Sequence, residues 1–591
     1  MSDGIVKILP EHLANQIAAG EVVQRPESVV KELVENAIDA GAVSISVVVR
    51  QAGKQLIHVI DDGMGMVRED LEMATVRHAT SKISSAEDLH AIRTLGFRGE
   101  ALASIAAVAD MEIRTRRMGA ETGHTLTSRP GSSTMIGPGS WDVGTQVLVR
   151  NLFYNVPARR KFLKSDLTEF RYISETMQKM ALSRPDLRFT FHDGDTLVFD
   201  VRPSDLRRRI QDILAIDSSK QLVHVERTES QVTIEGYVGK PSVSRQSRSG
   251  QFLFLNGRPI INRSLSHAVS SAYEHLLDTG QHPLFVLHVI ADPHAVDVNV
   301  HPQKHEVKFE DERAIYLLVQ TAVANALQSA EVIPAFLGDI ELSRSPLQSL
   351  PSGREGSPLI VNRLTGEIHQ QQPHQQIPSS SIPPRMLTGS QREAVDTLFG
   401  RNEQEAGGVL HAGKQYIVTT SKEGLVVVDQ HAAHERVLFE RAMRRRQGGQ
   451  QAGQALLFAV EVRLSPSHIA IVKEYLSELS LLGFKLDIME QGKVVINAVP
   501  SDVQPGSEDA VLASMIEALD DAGRLPRERR EEGVAAAFAS RQALRRGETM
   551  STDEMRTLIQ DLFSCAVPHV TANGEPTYIV IGLDELVLRF H

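Results

Sequence analysis

A carboxylate and a carboxamide stand one helical turn apart in residues 25–42, which read RPESVVKELVENAIDAGA. Pro26 suits the first position of a helix and Gly41 the position just past its end, so a helix of about four turns is predicted between them. On this helix Glu32 could act as a general base on a water molecule, and Asn36 could offer Mg²⁺ a hard oxygen ligand. An ordinary amphipathic helix with a solvated acidic face is the alternative for this segment taken alone.

The same segment divides into an apolar and a polar stripe at helical spacing. The apolar stripe, which is predicted to face a core, contains Val30, Leu33, Val34, Ala37 and Gly41. The polar stripe contains Glu32, Glu35, Asn36 and Asp39. The helix is therefore predicted to bury one side and to present carboxylates and an amide on the other.

An apolar strand is predicted from residue 56 to 60, directly before the sequence DDGMG at 61–65. Asp61 at the end of this strand could accept a hydrogen bond from an exocyclic amine. Gly63 and Gly65 would let the backbone turn sharply and approach a ligand closely. A single motif of this kind is a weak signal, so its position among other motifs decides its meaning.

The motifs follow one another in an order that resembles the GHKL ATPases. After the Glu32 helix and DDGMG come TSK at 80–82, GFRGEAL at 96–102 and GT at 144–145. Longer segments resemble the MutL mismatch-repair proteins within that superfamily: NQIAAGEVV, KELVENAIDAG, RHATSKI, LGFRGEALASI, LFYNVPARRKFL and VDVNVHPQKHEVKF. The resemblance covers residues 5–330 almost continuously and is highly specific. No GxxxxGK[ST] sequence occurs, so a P-loop is not available to bind phosphates.

The resemblance implies that the chain binds ATP and Mg²⁺. It implies that Glu32 activates water, that Asn36 holds Mg²⁺ and that Asp61 recognises adenine. The other implied ATP-binding residues are Gly63, Gly65, Thr80, Ser81, Lys82, Gly96, Phe97, Arg98, Gly99, Glu100, Ala101, Leu102 and Thr145. Taken alone, Thr145 would be a turn residue just before a strand.

Residues 68–104 are rich in small, charged and glycine positions and are predicted to form a mobile lid. Backbone amides near Gly96 and Gly99 could hold phosphates once this segment is ordered. Further on, VDVNVHPQK places Lys304 just past a strand end, where a lysine is usually solvated. The resemblance implies instead that Lys304 reaches from a second domain to the γ-phosphate, stabilises its charge and distinguishes ATP from ADP.

A second group of metal-binding side chain types occurs in DQHAAHERVLFE, residues 429–440. Imidazole and carboxylates at this spacing could ligate Zn²⁺ or Mn²⁺. The run matches the motif of MutL proteins that nick DNA, which implies a metal site at Asp429, His431, Glu435 and Glu440. The alternative is a charged helix that begins with a capping aspartate.

The same family places thiolates and an imidazole where this chain has Ser540, Thr571 and Asn573. A tight zinc site would therefore lack its soft ligands, so either a harder metal such as Mn²⁺ or Mg²⁺ is used or the nuclease is weak or lost. Cys565 and His569 could compensate, but a buried structural cysteine is favoured. The expectation from sequence is Mn²⁺-dependent nicking with poor zinc binding.

Length and composition limit the function classes. A chain of 591 residues exceeds one hydrophobic core, and one cysteine excludes a disulfide framework and fits a reducing cytoplasm. No apolar run is long enough to span a bilayer, so no membrane association is expected. A net charge of −11 argues against general coating of nucleic acid. DNA contact would use local basic clusters, of which the candidates are 114–117, 158–161, 206–209 and 444–446.

The predicted architecture is α/β (α+β) in four parts. They are a GHKL ATPase α/β sandwich at 1–204, a ribosomal-protein-like α/β domain with the ATP-sensing lysine at 205–336, a disordered Pro/Gln/Ser-rich linker at 337–400, and a C-terminal α/β dimerisation domain at 401–591. The apolar stripe of Met555, Leu558, Ile559 and Leu562 could form a dimer interface or a core.

The segment QALLF resembles peptides that dock on the replicative sliding clamp, with Gln454, Leu457 and Phe458 as anchors. A buried strand is the alternative for this segment. The resemblance as a whole implies an ATP-gated homodimeric clamp that links mismatch recognition by MutS to DNA nicking and excision, with a helicase or other repair nucleases as further partners. The competing hypothesis is a matchmaker without nuclease activity. A topoisomerase or a sensor kinase is disfavoured, because no toprim-like or phosphoacceptor segment is found.

Overall fold

The structure is a computed structural model of the chain. It describes residues 20, 22–83, 94–96, 99–216, 221–229, 231–245, 247–274, 276–277, 280–297, 308–309, 311–330, 360–361, 368–369, 408–421, 424–447, 453–489, 492–521, 529–545 and 547–590. Phe97, Arg98 and Lys304, part of the predicted lid and most of the predicted linker lie outside the described residues.

The N-terminal part is a mixed eight-stranded sheet with helices packed against it. Its strands are β1 (Ser44–Arg50), β2 (Leu56–Asp61), β3 (Asp110–Arg116), β4 (Gly123–Ser128), β5 (Met135–Gly139), β6 (Gly144–Arg150), β7 (Arg188–Asp193) and β8 (Thr196–Val201). Its helices are α1 (Pro26–Asp39), α2 (Arg68–Met73), α3 (Ala101–Ala106), α4 (Pro157–Phe162) and α5 (Asp166–Ser183). The strand order is β5-β4-β3-β6-β2-β1-β7-β8.

Burial alternates along the central strands, as expected for a sheet with one covered face. Ile45, Val47 and Val49 of β1 are fully buried. They share one core with the apolar stripe of α1. Strand β2 pairs with β1 on one side and with β6 on the other. This pairing places the last residue of β2 in the middle of the sheet, beside the helix that carries Glu32.

The second part is built on a five-stranded sheet of order β12-β11-β13-β10-β9. Helix α6 (Leu206–Leu214) precedes β9 (Leu222–Glu229), β10 (Val232–Gly239), β11 (Gln251–Leu255), β12 (Arg258–Ile260), α7 (Arg263–Ala272), β13 (Phe285–Ile290), β14 (Val296–Asp297), β15 (Lys308–Phe309) and α8 (Glu312–Ser329). Strands β11 and β13 are parallel, and β14 pairs with β15. Apolar residues of α7 and α8 share a core with one face of the five-stranded sheet.

The C-terminal part contains two sheets. The first has order β18-β19-β20-β24 and the second β21-β23-β22, while a short β16 (Ile360–Val361) and β17 (Ile368–His369) pair with each other. The strands are β18 (Leu410–Ala412), β19 (Tyr416–Ser421), β20 (Gly424–Asp429), β21 (Gly453–Arg463), β22 (Lys485–Ile488), β23 (Lys493–Pro500) and β24 (Tyr578–Gly582). The helices are α9 (Gln430–Gln447), α10 (Pro466–Glu474), α11 (Leu476–Leu482), α12 (Glu508–Asp521), α13 (Arg530–Gln542), α14 (Thr552–Phe563) and α15 (Leu583–Phe590).

The two C-terminal sheets have separate cores. The stripe of Met555, Leu558, Ile559 and Leu562 on α14 packs in the core beside β19 and β20. This stripe therefore forms a core, which was one of the two alternatives from sequence. Helix α14 begins with a capping box, in which the Ser551 side chain and the Glu554 backbone and side chain bond reciprocally.

Helix α10 packs against α5 of the N-terminal part. The Thr168 hydroxyl donates to the Glu474 carboxylate at 3.3 Å, and Arg171 forms an ion pair with Asp520 at 3.2 Å. Ala470 of α10 is fully buried in the same core as α5. No helix within the described part of the chain has the length and apolarity needed to cross a membrane.

Candidate functional site

Helix α1 presents Glu32, Asn36 and Asp39 to a cavity of about 1140 Å³. The helix begins at Pro26, as predicted. At its other end the Gly41 amide donates to the Ile38 carbonyl and the Ala42 amide to the Ala37 carbonyl, while Gly41 has a φ of +73°. These paired bonds are the Schellman motif that a glycine at this position permits. The predicted helix and both of its ends are confirmed.

Glu35 departs from the predicted polar stripe. It is 2% exposed, and the Lys31 ammonium lies 3.7 Å from its carboxylate. Residues 32, 36 and 39 are spaced by four and three positions and share one face, whereas residue 35 is turned towards the neighbouring core. Glu35 is consequently absent from the residues that line the cavity.

Asp61 and Thr145, which are register partners on β2 and β6, line the same cavity. We call this pair the strand end of the cavity, and Glu32 and Asn36 its helix end. The Asp61 carboxylate accepts a hydrogen bond from the Gly63 amide at 2.9 Å. Burial raises the pKa of Asp61 to about 6, against the opposing effect of the backbone amide donors. Thr145 is inside strand β6 and not before it, and its hydroxyl lies 3.1 Å from that of Thr115. A carboxylate and a hydroxyl are thus placed where they can form hydrogen bonds with the edge of a heterocycle bound in the cavity.

The DDGMG turn depends on Gly65, whose φ is +66°. A Cβ at this position would collide with the backbone carbonyl of Arg116. The Met64 amide donates to the Ala40 carbonyl at 3.0 Å, so the turn is joined to the end of α1. Because of this bond, the turn holds the Asp61 end of the cavity against the helix that carries Glu32 and Asn36.

Lys82 connects TSK to the helix. Its ammonium lies 2.8 Å from the Asn36 Oδ1 and 2.6 Å from the Asp39 carboxylate. The same carboxylate accepts hydrogen bonds from the amides of Leu95 at 2.9 Å and Gly96 at 3.0 Å. The oxygen expected to hold Mg²⁺ therefore already faces a cationic group.

Several other predicted nucleotide-binding residues also line this cavity: Gly65, Thr80, Ser81, Lys82, Gly96, Gly99, Glu100, Ala101 and Leu102. Sequence reasoning gave no role to Asp39, although its spacing of seven from Glu32 places it on the same face. It also missed the basic lining residues Lys31, Arg77 and Arg117. Lys31 and Arg77 begin the motifs KELVENAIDAG and RHATSKI, and Arg117 ends the basic cluster 114–117, but charge alone did not distinguish them from solvated side chains.

The C-terminal motif 429–440 forms the end of β20 and the start of α9. The Asp429 carboxylate accepts a hydrogen bond from the Ala432 amide at 3.0 Å, which is a helix-capping contact. Glu440 is 7% exposed. Its carboxylate accepts hydrogen bonds from the guanidinium groups of Arg436 at 2.6 Å and Arg444 at 3.1 Å. It also accepts from the amides of Ala566 at 2.9 Å and Val567 at 3.1 Å.

These bonds decide the charge state of Glu440. Burial alone would raise its pKa, but the backbone amides and the Arg436 guanidinium lower the pKa below its usual value. The carboxylate is ionised and its lone pairs are directed at protein donors. Glu440 is therefore held as an anchor between α9 and the segment after α14, and not presented to a metal.

His431 and Glu435 remain near each other on α9, with 3.9 Å between Nε2 and the carboxylate. The other ring nitrogen of His431 lies 2.8 Å from the Leu544 carbonyl oxygen. Burial raises the pKa of Glu435, and the Asn573 amide donates to its Oε1 at 3.4 Å. Asn573 thus contacts Glu435 at the place where the nicking family has an imidazole.

The remaining candidates do not complete a metal site. Burial raises the pKa of the Cys565 thiol to about 11, and its Sγ donates to the Asp561 carbonyl. The Thr571 hydroxyl accepts from the amides of Asn573 and Glu575 within its own turn. Across the described part of the chain, no three His, Cys, Asp or Glu side chains are arranged to hold a metal ion.

Strand β21 exposes the predicted clamp-binding segment. Leu457 is 90% exposed and Phe458 81% exposed, and Gln454 is exposed as well. The pairing of β21 with β23 shifts register between Ala455 and Val460. The segment is a strand, but the buried strand proposed as the alternative is wrong at these two apolar residues.

One predicted basic cluster, 206–209, is only partly a surface feature, because Arg208 is exposed but Arg209 is not. Arg209, the last residue of 206–209, is fully buried and donates to five carbonyl oxygens, those of Ala181, Arg184, Pro185, Leu187 and Arg202. Burial lowers its pKa to about 10. By contrast, Arg160 and Lys161 of cluster 158–161 are exposed.

Three family models match successive parts of the chain. The model "Histidine kinase-, DNA gyrase B-, and HSP90-like ATPase" matches residues 24–133. The model "DNA mismatch repair protein, C-terminal domain" matches residues 210–328, and "MutL C terminal dimerisation domain" matches residues 409–550.

Curated relatives match over nearly the whole length. The DNA mismatch repair protein MutL of Chlorobium phaeobacteroides is 40% identical and the match covers 98% of this chain and 99% of that protein. The chain belongs to the MutL family. The MutL protein of Parabacteroides distasonis is 36% identical, with 100% of both chains covered.

Solved structures also match the N-terminal half. A structure described as Aquifex aeolicus MutL ATPase domain complexed with ADP shares 26% identity, with 50% of this chain and 98% of that chain covered and a TM-score of 0.36. A structure of the N-terminal domain of a DNA repair protein shares 25% identity, with 54% of this chain and 99% of that chain covered and a TM-score of 0.47.

Family membership confirms the resemblance drawn from the motifs. The chain is a MutL-type mismatch-repair protein with a GHKL ATPase domain that binds ATP and with a MutL C-terminal dimerisation domain. The predicted α/β fold class is confirmed, and the topoisomerase and sensor-kinase alternatives are wrong.

Proposed function

We propose that this MutL family member is an ATP-gated homodimeric clamp that couples mismatch recognition by MutS to downstream repair. The observation that supports the proposal is that one cavity is lined both by Asp61 and Thr145 of strands β2 and β6 and by Glu32 and Asn36 of helix α1. Such a cavity can bind an adenine ring beside Asp61 and Thr145 and the phosphates beside Glu32 and Asn36. ATP is thereby held with its γ-phosphate towards Glu32.

Glu32 acts as the general base on the attacking water, and Asp61 accepts a hydrogen bond from the adenine amino group. Mg²⁺ fits the Asn36 end, because the Asn36 Oδ1 is a hard oxygen with a second lone pair beside the one that the Lys82 ammonium occupies, and the carboxylates of Glu32 and Asp39 line the same cavity. When bound there, Mg²⁺ supplies charge neutralisation at the phosphate oxygens. Phe97, Arg98 and Lys304 complete the phosphate contacts in this proposal, with Lys304 reporting the γ-phosphate.

We propose that the chain is divided into domains at 1–204, 205–336, 337–400 and 401–591. We also propose that the protein acts in the cytoplasm and on the nucleoid when it is bound to DNA. The homodimer is supported by exposed apolar side chains on β24 and α15. They include Ile579, Leu583, Val587 and Leu588. A surface of this kind is stable in water when a second copy covers it.

For the C-terminal motif, the described contacts favour the matchmaker over the nicking enzyme. Glu440 is held by two arginines and two amides, and Asp429 caps α9. Without thiolates at Ser540 and Thr571 the site does not fit Zn²⁺, and with Glu440 bonded to protein donors too few carboxylates remain for Mn²⁺. Strand nicking is then carried out by other repair nucleases that the clamp recruits, along with a helicase.

Two surfaces support contacts with other macromolecules. Exposed Arg160 and Lys161 offer a local basic cluster for the DNA backbone. The exposed side chains of Leu457 and Phe458, with Gln454, offer a peptide for the groove of a sliding clamp.

The test of the ATPase assignment is the substitution Glu32→Ala in the full chain, with the exposed Glu69→Ala as its control. We expect ATP binding to persist while hydrolysis falls by about 10²- to 10⁴-fold, because the base is removed and the adenine contacts are kept. Hydrolysis and nucleotide binding are measured in parallel. Hydrolysis near the parent rate in Glu32→Ala would show that another group is the base.

A further inference from the structure

A side chain of the second sheet is hydrogen-bonded to a segment that lines the ATP cavity. Arg258, the first residue of β12, is 7% exposed. Its Nη2 donates a hydrogen bond to the Thr94 carbonyl oxygen at 2.9 Å. Thr94 lines the cavity, whereas Arg258 does not. The guanidinium therefore acts on the nucleotide site through the backbone of another segment.

The hairpin that carries Arg258 is held on two sides. Leu255 pairs with Arg258 across Asn256 and Gly257, whose φ values are +48° and +78°. Asn-Gly with positive φ at both positions is the preferred sequence of a tight two-residue turn. The Asn256 side chain exchanges two hydrogen bonds with the backbone of Ala291, at 2.9 and 3.0 Å. On the other side, the hydroxyl of Ser183 at the end of α5 donates to the Gly257 carbonyl.

A continuous set of contacts runs from Arg258 to the predicted Mg²⁺ ligand. The Thr94 hydroxyl donates to the Gly96 carbonyl at 2.7 Å. The amides of residues 95 and 96 then donate to the Asp39 carboxylate at 2.9 and 3.0 Å. Asp39 in turn holds the Lys82 ammonium, which faces the Asn36 Oδ1. Each contact fixes the next one.

The charges around Arg258 explain its placement. Burial lowers the pKa of Arg258, while the carboxylates of Glu35, Asp39 and Glu32 raise it in that order of effect. Three acidic side chains of α1 thus act electrostatically on this guanidinium, and Glu35, which is turned away from the cavity, acts most strongly. An arginine stays protonated in such surroundings. Arg258 consequently neutralises part of the acidic face that the polar stripe of α1 creates.

We propose that Arg258 is a positioning residue for the metal-binding end of the ATP site. It fixes residues 94–96, whose amides set Asp39, and Asp39 with Lys82 sets the carboxamide of Asn36. The second sheet is thereby coupled to Mg²⁺ binding through a route that does not include Lys304. The proposal rests on the function proposed above and adds a residue that touches neither nucleotide nor metal.

The two ends of the cavity respond differently in this arrangement. Asp61 and Thr145 are held by the pairing of β2 with β6, which does not include Arg258. Loss of Arg258 therefore leaves adenine recognition intact and disorders the side chains that receive the metal. Ordering them again on Mg²⁺ binding opposes that binding.

The experiment compares Arg258→Met, Arg258→Lys and the exposed control Arg263→Met in the full chain. Binding of a fluorescent ADP analogue is measured without metal, and binding of a non-hydrolysable ATP analogue is titrated with Mg²⁺. For Arg258→Met we expect the half-saturating Mg²⁺ concentration to rise about tenfold, as for the loss of one hydrogen bond from a charged donor. The metal-free affinity should stay within about twofold, and Arg258→Lys should recover part of the loss because an ammonium can still donate to Thr94.

An unchanged or lower half-saturating Mg²⁺ concentration in Arg258→Met overturns the proposal. So does an equal loss of metal-free affinity, because a merely structural role would weaken both ends of the cavity. Failure of the ATPase assignment would be seen separately, as hydrolysis that survives in Glu32→Ala. The Arg263→Met control removes a charge five residues away and should match the parent in both titrations.

Discussion

Helices α1 and α9 carry similar polar side chains but use them differently. On α1, Glu32, Asn36 and Asp39 line a cavity. On α9, the Glu440 carboxylate accepts hydrogen bonds from two arginines of its own helix and from two backbone amides of another segment. A carboxylate that is already satisfied by fixed donors has no lone pair left for a ligand. Residue type and spacing therefore indicate a binding site only where the side chains also line a cavity, as Asn36 and Asp39 do although Lys82 is bonded to both.

The largest effect expected from this comparison concerns the stability of the C-terminal part. We expect Glu440→Gln to lower the free energy of unfolding by about 3 kcal/mol, because breaking a buried ion pair leaves charges unpaired. Arg444 reaches solvent, so the effect should fall at the lower end of the usual range. Denaturant unfolding of the full chain measures the change.

Glu435→Gln is the matched control for that variant. Because burial raises the pKa of Glu435, a neutral amide avoids the unfavourable burial of charge, and little loss or a small gain in stability is expected. Equal destabilisation by both substitutions would contradict the contrast drawn between these two carboxylates of α9.

A smaller effect is expected at the adenine end of the α1 site. The pKa of Asp61 is raised to about 6, so its stabilising contribution to the ligand-free fold is full below about pH 4 and is lost as the pH rises through 6. We expect Asp61→Asn to be more stable than the parent at pH 7, with the gap narrowing at pH 5. Thermal unfolding of both proteins without nucleotide measures this difference.

The same substitution should weaken ATP binding at pH 7, because the carboxylate proposed to accept a hydrogen bond from adenine is lost. A parent protein that does not gain stability relative to Asp61→Asn between pH 7 and pH 5 would show that Asp61 is ionised without penalty. The site beside α1 would then contain no carboxylate whose charge is unfavourably buried, and this part of the comparison would fail.

The smallest expected effect is on DNA nicking. Since Glu435 contacts Asn573 and Glu440 is an anchor, supercoiled plasmid should stay intact with the parent protein and with Glu435→Lys at all concentrations of Mn²⁺, Mg²⁺ and Zn²⁺. Gel electrophoresis of the plasmid gives the readout. Nicking by the parent that disappears in Glu435→Lys would restore the nuclease predicted from sequence.

Local features of the sequence determined the parts of the molecule that depend on near neighbours. Pro26 and Gly41 set the ends of α1, since one fits a helix start and the other tolerates positive φ. The alternating apolar residues set β2, and the order of the motifs is sufficient to identify the family. Backbone sterics and short-range hydrogen bonds are sufficient for such features.

Only the tertiary structure decided which polar groups were already satisfied. Glu35 is buried and acts electrostatically on Arg258 of the second sheet, Arg209 donates to five backbone carbonyls, and Glu440 accepts from amides more than a hundred residues away. The exposure of Leu457 and Phe458 likewise depends on the pairing of a whole strand. The physical reason is that burial and hydrogen-bond satisfaction are set by contacts between distant segments, which residue spacing does not record.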